Sequence, residues 1–228
     1  MIRWSAPGPY VVAFTTRAGG VSEGPFESLN LGGRHDRPDA IAENRRLACE
    51  ALRLDASRLA ANRQQHSSQV HKAQPGEQGT LGDSLWTDEP GLPILALSAD
   101  CLPIAVATTE GPPALAVIHA GWRGLAAGVV EAGVQALGGG PTAAVIGPAV
   151  GPCCYEVGPE VSELFDAELT HRRMLNLWEA GERALRRAGV ARVERLDLCT
   201  RCNPELFFSH RRDGVPHGVQ GVIGAISG

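Results

Sequence analysis

Lysine is nearly missing from this chain. Lys72 is the only one, and arginine carries the rest of the positive charge. Schiff-base chemistry, which needs an amine nucleophile, therefore has one candidate, in a polar stretch that reads as exposed. A positive excess is missing too. The formal net charge is −4, which gives no electrostatic footprint for nucleic acid or an anionic membrane. Aromatic residues make up 5% of the chain, too few for the stacking platforms that single strands use. No apolar run approaches the roughly 20 residues of a membrane span. The start, MIRWSAPGPY, lacks the apolar segment and small-residue cleavage site of a signal peptide. The expected location is the cytoplasm. There Cys49, Cys101, Cys153, Cys154, Cys199 and Cys202 are expected as reduced thiols and not as a disulfide frame.

What is present is ordinary globular material: 43% hydrophobic and 20% charged residues in 228 positions. A chain of that length buries a core without cross-links, and one domain over 1–228 is expected. YVVAFTT (10–16) reads as a strand, and the Gly-rich 17–34 as a long loop of the kind that carries function. Asp39 reads as the cap of a helix over 40–54, whose stripe is Ile41, Leu47, Ala48, Ala51 and Leu52. A Gly/Pro-rich segment, 74–92, precedes three short apolar runs at 92–98, 102–108 and 114–120 that read as buried strands. A helix is expected over 122–137, a strand at 143–147, helices over 159–169 and 171–188, a strand at 192–198 and a final strand near the end. The mixture lacks a regular strand–helix alternation. It points to α+β or a mixed-sheet sandwich and away from a doubly wound sheet.

Several residues could carry chemistry. In SADCLPIA, Cys101 sits at a strand break beside Asp100. It reads either as a small buried hydrophobe or as a thiolate at a strand end. In AVIHAGWRGLAAG, His119 ends an apolar strand just before a helix start, and Arg123 lies in the first turn, where a helix prefers an acid. The plain alternative is a hydrogen-bonded core histidine and a solvated arginine. With one more histidine, Cys101 and His119 would make a three-ligand zinc site with an open fourth position, the catalytic arrangement. QQHSSQVH (64–71) offers His66 and His71. Their odd spacing puts them on opposite faces of an extended segment, so one at most faces a metal. CTRC (199–202) has C-x-x-C spacing but no second such pair, and the vicinal Cys153–Cys154 reads as packing.

TTRAGGVSEGPFESLNLG, SADCLPIA, HAGWRGLAAGVV, IGPAVGPCCYEVG and CTRCNPELFFSHRRDG occur in this order. Together they resemble the bacterial laccase-domain or polyphenol-oxidase-like family, whose members are also described as peptidoglycan editing factors and purine nucleoside phosphorylases. The resemblance covers about residues 10–214. It implies a four-layer α/β/β/α sandwich with mixed sheets. It also implies one zinc per chain held by His66, Cys101 and His119, with copper as an alternative occupant. The family's Q-x-H-[G/S]-x-x-V pattern falls on Gln64, His66, Ser67 and Val70, which leaves His71 outside it. The implied activities are phosphorolysis of adenosine, inosine and methylthioadenosine, and deamination of adenosine. Catalytic roles then fall to Asp100, Cys101 and His119, and contacts to nucleoside and phosphate to Arg17, Asn30 and Arg123. Peptidoglycan editing, a copper polyphenol oxidase, a metal-free Cys101/His119 hydrolase and a non-catalytic zinc module are the alternatives. Where the family usually has a T-G-R-like turn after R-R-D-G, this chain has His217-Gly218-Val219. A substrate contact made there by arginine would be absent. Oligomeric state is open, with a monomer the simplest expectation.

Overall fold

The computed structural model describes residues 1–228. The chain opens with β1 (Ile2–Trp4), β2 (Tyr10–Phe14), α1 (Pro38–Ala51) and β3 (Ala60–Arg63). Short strands follow: β4 (Val70–Lys72), β5 (Gln78–Leu81), β6 (Ser84–Thr87) and β7 (Ile94–Ser98). The most apolar stretch gives β8 (Leu102–Thr108), β9 (Leu115–Ala120), α2 (Trp122–Ala126), α3 (Val129–Gln135) and β10 (Thr142–Ile146). Then come α4 (Pro159–Ser162), β11 (Thr170–His171), β12 (Met174–Leu175) and α5 (Leu177–Arg187). The chain closes with β13 (Arg192–Arg195), α6 (His210–Asp213) and β14 (Gln220–Ile226).

Two six-stranded mixed sheets form, in the orders β1-β2-β14-β7-β3-β5 and β13-β10-β8-β9-β6-β4. Their inner faces meet through Phe14, Ile94 and Val222 on one side and Ala105, Leu115, Val117 and Val145 on the other. The outer face of the first sheet packs Ala13, Leu95 and Ile223 against Ala48 and Cys49 of α1. The outer face of the second packs Ile104, Val106 and Ile118 against Leu125, Val130 and Leu185, from α2, α3 and α5. The result is the α/β/β/α sandwich of mixed sheets, an α+β fold. Both faces of β8 and β9 are covered, so every residue of these strands is buried. This explains why they read as continuous apolar runs without alternation. Each Leu, Ile or Val so buried contributes about 1.5–3 kcal/mol, so this hairpin is a firm base for the residues at its ends.

The element boundaries depart from expectation where backbone chemistry overrides periodicity. Arg37 is the cap residue of α1, with Pro38 in the first turn, and Asp39 lies inside that turn instead of capping it. The helix expected over 122–137 is two pieces, because Gly128 adopts φ +81° between them. Only Pro159–Ser162 of the segment 159–169 is α-helical. The next helix begins at Leu177, where the Asn176 side chain accepts from the Glu179 N–H at 3.1 Å. The residues 170–175 before it form the small β11–β12 pair instead. The Gly/Pro-rich segment 74–92, for which no strand was expected, contains β5 and β6. Four-residue strands are too short for a period to show. No helix is long and apolar enough to cross a membrane.

Candidate metal centre

The antiparallel register of β8 and β9 sets Leu102 opposite Ala120 and Pro103 opposite His119. Cys101, one residue before β8, is thereby carried to the end of β9. His66 comes in from the turn between β3 and β4. Its Nε2 lies 3.7 Å from Cys101 Sγ, and the ligand atoms of His66, Cys101 and His119 all lie within 4.8 Å of one another. A tetrahedral zinc with ordinary Zn–N and Zn–S bonds sets nitrogen and sulfur about 3.6 Å apart, so this donor set fits such an ion. Gly121 makes the approach possible. A Cβ there would stand 2.7 Å from His66 Cδ2 and 2.9 Å from Cys101 Sγ, inside van der Waals contact.

Asp83, which the sequence reading did not single out, holds the centre from behind. It is 1% exposed. One carboxylate oxygen accepts from His119 Nδ1 at 2.8 Å and from the His66 N–H at 2.9 Å. The other accepts from the N–H groups of Gln65 and Ser67 and from the Ser67 hydroxyl. A carboxylate behind a histidine fixes the ring and directs its other nitrogen toward a metal, here His119 Nε2. The same contacts hold His66 at φ +62°. The segment is a turn at this point and is not extended, so opposed strand faces are not what separates the two histidines. His71 lies in β4 with Nε2 2.7 Å from the Leu81 carbonyl.

The electrostatics follow from this packing. Burial pushes the Asp83 carboxyl up, but hydrogen bonds from His119 and Ser67 and the charge on His119 carry it well below the usual carboxylate range. Burial also opposes ionisation of Cys101, yet the His119 charge and hydrogen bonds from His119 and His66 lower its thiol to about 6. His119 is disfavoured as a cation by burial and favoured by Cys101 and Asp83, ending at about 9. The two groups thus favour each other's charged forms, and the thiolate is the form a metal binds.

A cleft of about 500 Å³ opens above these groups, within the ~300–1,000 Å³ of small-molecule sites. Asp100, Arg123, Tyr155, Arg211, His210, His217 and Val219 line it. A larger hollow of about 740 Å³ near Arg3 and Leu52 brings together no comparable donor set. Arg123 is exposed, stacks 4.1 Å over the Trp122 ring and has no carboxylate partner. α2 is five residues long, so its dipole is small, and Arg123 is the positive group at this end of the cleft. Asp100, at φ +88°, accepts from the Thr200 hydroxyl and from the Arg211 N–H at 2.7 Å.

Two expected substrate residues lie elsewhere. Arg17 is not in the cleft wall: it donates to the carbonyls of Glu27 and Pro204 at 2.9 and 3.0 Å and stacks on Phe208. Asn30 is fully buried. It donates to Asp36 and accepts from the Val219 N–H, so it shapes the loop and does not face the cleft. At the altered turn, His217 Nε2 lies 3.0 Å from His210 Nδ1. Tyr155 and Arg211 stand inside IGPAVGPCCYEVG and CTRCNPELFFSHRRDG but were not singled out, because nothing local in either stretch reports that the two side chains meet at the cleft. Arg211 stacks 4.7 Å over the Tyr155 ring, and burial, with the nearby Cys101, pushes that phenol up to about 12. The vicinal cysteines also depart from expectation. Cys153 and Cys154 lie beside Cys199 and Cys202, with all four sulfurs within 4.8 Å.

The family model described as multi-copper polyphenol oxidoreductase laccase matches residues 11–226. The chain belongs to that family. It is 38% identical to a purine nucleoside phosphorylase of Pseudomonas aeruginosa over 92% of this chain and 90% of the relative. It is 35% identical to the purine nucleoside phosphorylase YfiH of Escherichia coli over 92% of each. Among solved structures, YlmD from Geobacillus stearothermophilus superposes with a TM-score of 0.90 at 30% identity, covering 99% of this chain and 94% of that one.

Proposed function

We propose that this chain is a zinc-dependent purine nucleoside phosphorylase that also deaminates adenosine. The observation that carries the reading is the open three-ligand set of His66, Cys101 and His119 at the base of a cleft whose wall holds the unpaired cation Arg123. Relatives over nine-tenths of the chain are named for that phosphorylase activity. Zinc suits two imidazoles and one thiolate with a free fourth position. A zinc held there by His66, Cys101 and His119 would supply Lewis-acid chemistry and water activation, which is the chemistry that deamination at C6 draws on. Copper is the other ion the donors would accept, but four-electron oxygen chemistry needs several coppers, and this group holds one ion.

The chain's own residues then divide the work. Asp83 keeps the His119 Nδ1 proton in place and presents Nε2 to the metal. Arg123 and the free side of the Arg211 guanidinium hold the phosphate dianion by charge-assisted hydrogen bonds. Proton transfer to or from the purine is assigned to Asp100, which lines the cleft. Nucleoside and phosphate are the partners, and the six free cysteines suit a reducing cytoplasm. Incubation with adenosine, with and without phosphate, tests the reading. Adenine plus ribose 1-phosphate in the phosphate arm shows phosphorolysis, and inosine in either arm shows deamination. Unchanged adenosine in both arms, with metal bound, overturns the proposal and favours a different substrate such as a muropeptide precursor.

A further inference from the structure

β10 and β13 are parallel neighbours, paired from Ala143↔Arg192 to Ile146↔Arg195, so their C-terminal ends leave the sheet side by side. A bridge between Ala149 and Cys199 continues the pairing. Each exit then curls into a turn. The first, closed by N–H bonds from Cys154 and Tyr155 to the Gly151 carbonyl, carries Cys153 and Cys154. The second carries Cys199 and Cys202. Cys202 Sγ lies 3.6 Å from Cys153 Sγ and 3.4 Å from Cys154 Sγ, and all four sulfurs fall within 4.8 Å.

Those separations decide between the ways cysteines associate. A disulfide brings sulfurs to about 2.05 Å, well inside what is seen. Four sulfurs around one zinc at about 2.3 Å stand about 3.8 Å apart along every edge of the tetrahedron. Core packing does not account for the group, since Cys153 and Cys202 are exposed. Cys199 Sγ already accepts the Gly151 N–H at 3.3 Å, the kind of bond that supports a thiolate. We propose that Cys153, Cys154, Cys199 and Cys202 bind a second zinc ion, in a closed four-sulfur site. With four protein ligands no position is left for substrate, so the role is structural. The ion ties together two loops that build the cleft wall. One carries Tyr155. The other carries Thr200, whose hydroxyl holds Asp100. The site shares no ligand with His66, Cys101 and His119, and it stands whether or not the activity proposed above is correct.

Metal analysis of the full chain, purified with a non-chelating reductant, tests this. Wild type should hold two zinc ions per chain. The Cys153→Ser/Cys202→Ser variant changes two exposed positions and should hold one. The His66→Ala/Cys101→Ser variant should also hold one, and X-ray absorption on it should show sulfur alone in the first shell at about 2.3 Å. A His66→Ala/Cys101→Ser protein that keeps its circular dichroism but holds no metal overturns the proposal. So does a residual ion with nitrogen or oxygen neighbours, or iron in place of zinc.

Discussion

The floor and the rim of the cleft are built on opposite plans. In the floor, Asp83 and His119 are almost fully buried, and each carboxylate oxygen of Asp83 has at least two donors. Around the rim, Arg123 and Arg211 are exposed and rest on aromatic rings, Trp122 and Tyr155. The floor is over-determined at Asp83, which fixes the His119 ring and the turn that carries His66, as a metal centre with strict bond lengths requires. The rim is less constrained: Arg123 has no carboxylate partner, and Arg211 commits one guanidinium nitrogen to the Glu156 carbonyl at 2.7 Å and keeps the rest for an anion. Damage to the floor should therefore remove metal and function together, whereas damage to the rim should change binding alone.

The largest effect is expected from His66→Ala. It leaves two ligands, and the metal content and any nucleoside turnover should fall together to near zero. Retention of metal at the wild-type level would show that His66 is not part of the centre. Next comes Asp83→Asn, which keeps the shape but removes the charge behind His119. Loss of one partner from a buried ion pair costs about 3–5 kcal/mol, read as a lower denaturation midpoint. Metal affinity should fall about 10–100-fold. The pH dependence has a definite sign. The carboxyl of Asp83 is held below its ordinary value by its partners, so its contribution is present above the unfolded value of about 3.9. It is lost as pH falls through the lower folded value. In the Asn variant this part of the acid limb of the stability profile should flatten. An unchanged limb would mean that other carboxylates set acid unfolding.

How much of this comparison was legible in the sequence depends on distance along the chain. Cys101 and His119 flank one hairpin, and their motifs, with that of His66, named three residues whose ligand atoms do lie together. The strands 102–108 and 115–120 were legible because burial on both faces writes a continuous apolar run. Asp83 was not legible. It sits in a Gly/Pro-rich segment and acts on residues 65–67 and 119, and no local period reports a contact of that span. Arg17 misled for the reverse reason. A cation in a Gly-rich loop reads as an anion ligand, but here that loop needed its donors for the carbonyls of Glu27 and Pro204. The four-cysteine group was missed because the pairing of β10 with β13 is parallel and separated by α5, so its two halves carry no shared spacing.

On the rim, Arg123→Ala should leave metal content and fold unchanged. The apparent KM for phosphate should rise about tenfold, which matches the loss of one charge-assisted hydrogen bond of about 1.4 kcal/mol. The KM for nucleoside should stay within about twofold. Equal rises in both constants would place Arg123 in general scaffolding of the cleft and erase its difference from Arg17.

The smallest effect is expected from His71→Ala, and it sharpens the boundary of the floor. His71 is five residues from His66 and half-buried, but its Nε2 is engaged with the Leu81 carbonyl at 2.7 Å. The ring also lies against Gly82, where an added Cβ would meet His71 Cδ2 at 2.7 Å. The side chain thus fastens β4 to the turn before β6, on the strand side of the same segment whose turn carries His66. Its removal takes away one hydrogen bond, worth about 1 kcal/mol, and some packing. The denaturation midpoint should drop slightly, while metal content and turnover hold at the wild-type level. Metal loss equal to that of His66→Ala would mean that the turn at 65–67 is not held by Asp83 alone, and that the floor extends along β4 to the edge of the sheet.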